Sequence, residues 1–133
     1  MKDTILAIAG KPGLYRLVSR GNNNLIVETV DEQKKRFAAG MRDRITSLGD
    51  IAMYTDEEDV PLMQVFQNLY DALQGPSPLS HKTATEAELH EFMTTALPAW
   101  DQDRVRLSDI KKLLQWYNVL AQAGYTEYKD EEE

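Results

Sequence analysis

Few residues in this chain are placed to do chemistry. There are two histidines, His81 and His90, and no cysteine. The missing thiols exclude thiol catalysis, cysteine-ligated zinc and a disulfide framework, and they fit a reducing compartment. Glu86 and His90 stand one helical turn apart, but two ligands without a third do not hold zinc. Asp101 and Asp103 have the spacing that opens a calcium loop. That loop then needs a glycine where Arg106 stands and a glutamate where Lys112 stands, so its chemistry fails. No glycine-rich phosphate loop, HExxH pair or nucleophile elbow occurs. Asp56 and Asp59 could in principle move protons, yet negative charge ahead of a helix start explains them without catalysis. His81, between Ser80 and Lys82, could contribute to a site between two halves of the chain. Its simpler role is an exposed or locally hydrogen-bonded linker residue. No metal and no cofactor is expected.

The other chemistry within reach is recognition. Residues 1–50 carry nine Lys/Arg against six Asp/Glu, a balance of +3, while residues 51–133 carry six against sixteen, a balance of −10. The net charge of −7 argues against a protein that coats nucleic acid over its whole surface. The positive third is different. Arg16, Arg20, Lys34, Lys35, Arg36, Arg42 and Arg44 accompany Tyr15, Phe37 and Tyr54 there, the mixture that small β-barrels use to bind single strands. The competing account makes the aromatics core and the cations ordinary edge-strand and turn residues. For protein contact the candidates are Trp100, in a loop after Pro98, and Trp116, at the margin of a helical face. Both would suit a hot spot if exposed. Tryptophan is more often mostly buried, and capping the core between the two halves is the plainer role.

The elements that must position these residues fall into two groups. Leu14–Ser19 and Leu25–Val30 are β-prone runs around Gly21-Asn22-Asn23-Asn24, a hairpin signal. Asp31–Lys35 leads to a third strand around Arg36–Ala39. Ile45–Leu48 and Asp50–Thr55 add short segments. Residues 3–10 read equally as a one- or two-turn helix or a strand, and Lys11-Pro12-Gly13 as a turn. With no crossover helix between strands, a parallel sheet is excluded. A small curled sheet or SH3-like barrel over 1–57 follows.

After the acidic run Asp56–Asp59 and Pro61 the period becomes helical. Leu62, Phe66, Leu69 and Leu73, with Met63 and Tyr70 beside them, make one apolar stripe that Gly75-Pro76 stops. Residues 75–84 form a Pro/Ser/Gly linker. Thr85 and Glu88 spell a capping box for a helix carrying Leu89, Phe92, Met93 and Ala96. Ser108 is the expected N-cap of the longest helix, whose stripe runs Ile110, Leu113, Leu114, Tyr117, Leu120 and Ala121 before Gly124. No internal repeat occurs.

Ile5–Leu14, Ile51–Pro61, Ser80-His81-Lys82 and Arg104–Asn118, in this order, resemble a family of uncharacterised Bacteroidetes proteins known only as a domain of unknown function. The resemblance covers nearly all of the chain except the acidic tail. It implies an SH3-like N-terminal barrel and a helical C-terminal domain, and brings no activity, cofactor or site residue with it. Arg106 stands where relatives are expected to be more apolar or aromatic.

The expectation is therefore an α+β protein: a small SH3-like antiparallel β-barrel with its following helix (1–74), a linker (75–84), a small helical domain (85–125) and an acidic tail (126–133). No apolar stretch near the start is long enough to span a bilayer, and a cytoplasmic location is expected. The expected function is a non-catalytic protein-binding or adaptor module. RNA or single-stranded DNA binding through the basic barrel is the alternative, and an enzyme with an interdomain site the third.

Overall fold

The computed structural model describes residues 4–11, 13–30, 33–40, 43–126 and 128. Five strands form one antiparallel sheet: β1 (Ile5–Ile8), β2 (Tyr15–Arg20), β3 (Asn24–Thr29), β4 (Arg36–Gly40) and β5 (Ile45–Ser47), in the order β4-β3-β2-β1-β5. Residues 5–8 thus resolve as a strand, since β1 finds partners on both sides. The β2–β3 hairpin forms where the Gly/Asn turn places it. β4 and β5 are the outer strands, and no pairing between them occurs among the described residues.

Both faces of the sheet carry apolar side chains. Leu6, Ile8, Tyr15, Val27 and Ala39 make a cluster of their own on one face, with Leu17, Leu25, Phe37 and Ile45 packed against it. Ile5 and, beside it, Ala7 face the helical layer and join the main core.

The expected strand over 50–55 is shorter than its composition suggests. A 3-10 turn (Leu48–Asp50) comes first, and β6 (Ala52–Met53) then pairs with β7 (Val60–Pro61) for two residues. The pairing stops because Thr55 instead bridges to Trp100.

Three helices complete the fold: α1 (Leu62–Leu73), α2 (Glu86–Ala96) and α3 (Leu107–Gln122). On α1 the buried positions are Leu62, Val65, Phe66 and Leu69. Leu73, expected in that stripe, is 36% exposed because it lies in the last turn, beyond the neighbouring helices. Gln74, in the left-handed conformation, caps α1 ahead of Gly75. The Thr85/Glu88 capping box forms at α2, with Glu88 N–H donating to Thr85 Oγ1 and Thr85 N–H donating to Glu88. The N-cap of α3 is Arg106, two residues before the expected Ser108. Asp109 accepts the Arg106 N–H at 3.0 Å, which satisfies a free amide and starts the helix early.

Ile110, Leu113, Leu114, Tyr117 and Leu120 are buried along α3 as its period requires. Each such aliphatic side chain contributes about 1.5–3 kcal/mol of transfer free energy, so α3 is the central beam of the core. Asn68 of α1 donates to the Ala96 carbonyl at 2.9 Å and so satisfies the end of α2. Residues 75–84 are held onto α3: Tyr117 Oη donates to the Gly75 carbonyl, and Asn118 accepts from Ser77 N–H and donates to the Leu79 carbonyl.

Candidate functional site

Strand register decides where the basic residues go. Ile5, Arg16, Glu28 and Arg36 are cross-strand neighbours in one row over β1, β2, β3 and β4. Arg16 Nη2 donates to Glu28 at 3.1 Å and Arg36 Nε donates to its other oxygen at 2.9 Å. These bonds, Arg36's first and Arg16's second, hold the Glu28 carboxyl below the usual glutamate range against the opposing effect of burial. Two of the expected cations are thus committed to an internal carboxylate.

A bulge between Leu17 and Ser19 shifts the β2 register so that Arg20 pairs with Leu25, on the face opposite to Arg16. Without the bulge the two arginines would share a face. Lys34 and Lys35 lie ahead of β4, Lys34 at positive φ, and Lys35 N–H donates to Thr29 Oγ1. Arg42 lies outside the described residues.

The aromatic platforms are not assembled either. Tyr15 is buried and meets Phe37 edge-on at 5.3 Å, while Lys11 Nζ sits 4.3 Å over the Phe37 ring. Tyr54 is 44% exposed but belongs to the segment beside Trp100, with Arg104 over its ring. Arg16, Arg20 and Arg36 therefore do not meet an exposed aromatic on one surface.

The titratable candidates have local explanations. Asp101 Oδ1 accepts from the N–H groups of Asp103 and Arg104, and Arg104 Nε donates to Asp101 Oδ2 at 2.7 Å. These contacts, the Arg104 side chain foremost, lower the Asp101 pKa. They close the loop through the chain's own groups. His90 approaches Glu86 at 3.9 Å and packs edge-on against Trp100. Asp56 and Asp59 are exposed, in a loop ordered by Thr55, whose hydroxyl donates to the Glu58 carbonyl and accepts from Glu57 N–H. His81 is half-buried in the 75–84 segment. Among the described residues no group of three His, Asp or Glu could hold a metal ion.

The two tryptophans separate. Trp100 is buried, with its indole N–H donated to Thr94 Oγ1 at 3.0 Å, and it is part of the main core. Burial removes it as an exposed contact residue. Trp116 is half-buried and lines a cleft of about 600 Å³ between β1, the strand-entry segment of β5, and α3.

Three cations line that cleft from three elements: Lys11 from the β1–β2 turn, Arg44 from just before β5, and Lys112 from α3. Among the described residues no carboxylate lines it. Ala7, Ile51 and Trp116 supply apolar wall, and Thr46 and Gln115 polar wall. Arg44 and Lys112 make no hydrogen bond or ion pair with the side chains of other described residues. Gly10 and Gly13 shape the turn that carries Lys11, with φ of +82° and +79°, and a Cβ at either would meet only open space.

A larger cleft, about 800 Å³, lies between the β2–β3 face and the end of α3. Arg16 and Lys34 line it together with Glu28, so its charge is partly answered from within. At the smaller cleft no carboxylate among the described residues answers Arg44 and Lys112. Of the expected basic residues that cleft uses only Arg44; Lys11 and Lys112 carried no signal in sequence, because turn and helix positions show no shared surface until the chain folds.

Two family models match the chain in succession. A family model described as Domain of unknown function (DUF5606) matches residues 3–48, and one described as Domain of unknown function (DUF6852) matches residues 51–120. The second model takes in all three helices. No functionally curated protein matches. The fold is similar to the solution NMR structure of a protein from Bacteroides vulgatus, a structural genomics target. The two are 50% identical with a TM-score of 0.78, over 96% of this chain and 91% of that one. The chain belongs to the family described as Domain of unknown function (DUF6852).

Proposed function

We propose that the protein is a non-catalytic binding module that takes a protein partner through the cleft between β1, β5 and α3. One observation carries this reading: Lys11, Arg44 and Lys112 line a cleft with Trp116 in its wall, and no carboxylate lines it among the described residues. In a chain of net charge −7 such an uncompensated basic hollow is a recognition feature. Large apolar side chains give little alternative, since among the described residues only Tyr54 and Leu73 are substantially exposed, and they lie on different elements. The separate apolar cluster on the sheet's outer face supports an SH3-like curl for residues 4–57, which would present β1 and β5 as a rigid wall.

Affinity capture from the native cell, with the full chain as bait and with and without nuclease, tests the reading. The expected result is a protein that survives nuclease and is lost from the double variant Arg44→Glu, Lys112→Glu. Capture that disappears with nuclease would instead favour RNA or single-stranded DNA. Capture indifferent to the double variant would remove the cleft.

A further inference from the structure

We infer that the cleft takes a short acidic segment of the partner built around one apolar side chain, an inference that rests on the binding role proposed above. The charge argument comes first. Arg44 and Lys112 reach the cleft from two different elements, with Lys11 at its edge leaning on the Phe37 ring, so the fold already brings the cations together for an anionic ligand. The extent of the basic area comes next. Asp50 adjoins Ile51 at one side of the cleft, and Asp109 lies one helical turn before Lys112. Both acids are exposed. A long polyanion that extends past these acids meets repulsion, whereas a short acidic stretch stays within reach of Arg44 and Lys112.

The apolar wall decides between a bare anion and a side chain. Ala7, Ile51 and the Trp116 indole give phosphate nothing to bind, but they suit a leucine-sized group flanked by carboxylates.

The test is an amide NMR titration of the full chain. The probes are a synthetic peptide of aspartate and glutamate around one leucine, the same peptide with serine for leucine, oligothymidylate, and inorganic phosphate. The leucine peptide is expected to shift Gly10, Lys11, Thr46, Lys112 and the Trp116 indole N–H. Affinity should fall about tenfold with serine, the loss of a buried leucine contact, and fall again with added salt. The Arg44→Glu, Lys112→Glu variant should lose the shifts while the rest of its spectrum stays in place. Should that variant not fold, the leucine-to-serine difference on the wild-type chain still decides.

Equal response to both peptides overturns the inference. So does a cleft that answers oligothymidylate or phosphate but not the leucine peptide. Partner capture that depends on Arg44 and Lys112 with no peptide response overturns the acidic-segment chemistry alone and leaves the binding role standing.

Discussion

The Arg104 guanidinium lies 4.5 Å over the Tyr54 ring centroid and donates to the neighbouring Thr55 carbonyl at 3.1 Å. That contact sits on a backbone clip: Asp101 N–H donates to the Tyr54 carbonyl, and Asp56 N–H donates to the Ala99 carbonyl. Residues 54–56 and 99–101 thus form a short irregular ladder, with Trp100 buried behind it. Much of the binding between the β6–β7 arm and the α2–α3 loop runs through these few groups.

Trp100→Ala should accordingly be among the most damaging substitutions. It opens a large cavity in the main core, at a cost of about 3–5 kcal/mol. Chemical denaturation checks it. Arg104→Ala should cost far less, about 0.5–1 kcal/mol for an exposed cation–π contact. Comparable losses for the two would show that the clip, not the core, is what Trp100 serves.

Glu28 gives the sheet an acid sensitivity. Its folded pKa is depressed below 4.5 by Arg36 and Arg16. A depressed carboxyl contributes stability that is present above the unfolded value and is lost as pH falls through the folded value. Thermal melts should therefore drop in acid, and Glu28→Gln should start lower at neutral pH with a shallower acid decline. An identical acid slope in the variant would place the sensitivity elsewhere.

Much of this architecture is legible in the sequence. The Gly/Asn turn, the helical stripes, the Thr85 capping box and Gly124 are local chemistry, and local chemistry is what residue types encode. Two features are not local. The bulge at Leu17/Ser19 that sends Arg20 away from Arg16 is a fact of pairing, which composition does not reveal. The pairing of Arg44 with Lys112 across one cleft arises only when α3 docks on β1 and β5. Trp100 and Trp116 were indistinguishable as loop-side and margin residues because burial depends on what the 54–56 segment does.

Asn118 offers a test of how the 75–84 segment is held. Its side chain accepts from Ser77 N–H at 2.7 Å and donates to the Leu79 carbonyl at 3.1 Å. Asn118→Ala removes both, at about 0.5–1.5 kcal/mol per hydrogen bond. Hydrogen exchange should quicken at Ser77 well before it does at the amides of α3. Unchanged protection at Ser77 would mean that Tyr117 and the local turn hold the segment by themselves.

Tyr117 makes the corresponding prediction in alkali. Its hydroxyl donates to the Gly75 carbonyl at 2.6 Å, and its ring packs with Phe66, Phe92 and Tyr128. Burial, with a smaller contribution from Tyr70, pushes its pKa up from 10.0 to about 12. A raised pKa means stability that is full below the unfolded value and is lost as pH rises through the folded one. Wild-type protein should therefore weaken between pH 10.0 and about 12. Tyr117→Phe should cost about 0.5–1.5 kcal/mol at neutral pH, the value of the Gly75 hydrogen bond, but should lose less on going into alkali. Tyr128, also raised by burial, keeps part of the alkaline decline in the variant. Urea denaturation at neutral and alkaline pH separates the two effects: parallel curves for wild type and variant would show that folding does not raise the Tyr117 pKa, and a gap that closes as pH rises would show that it does.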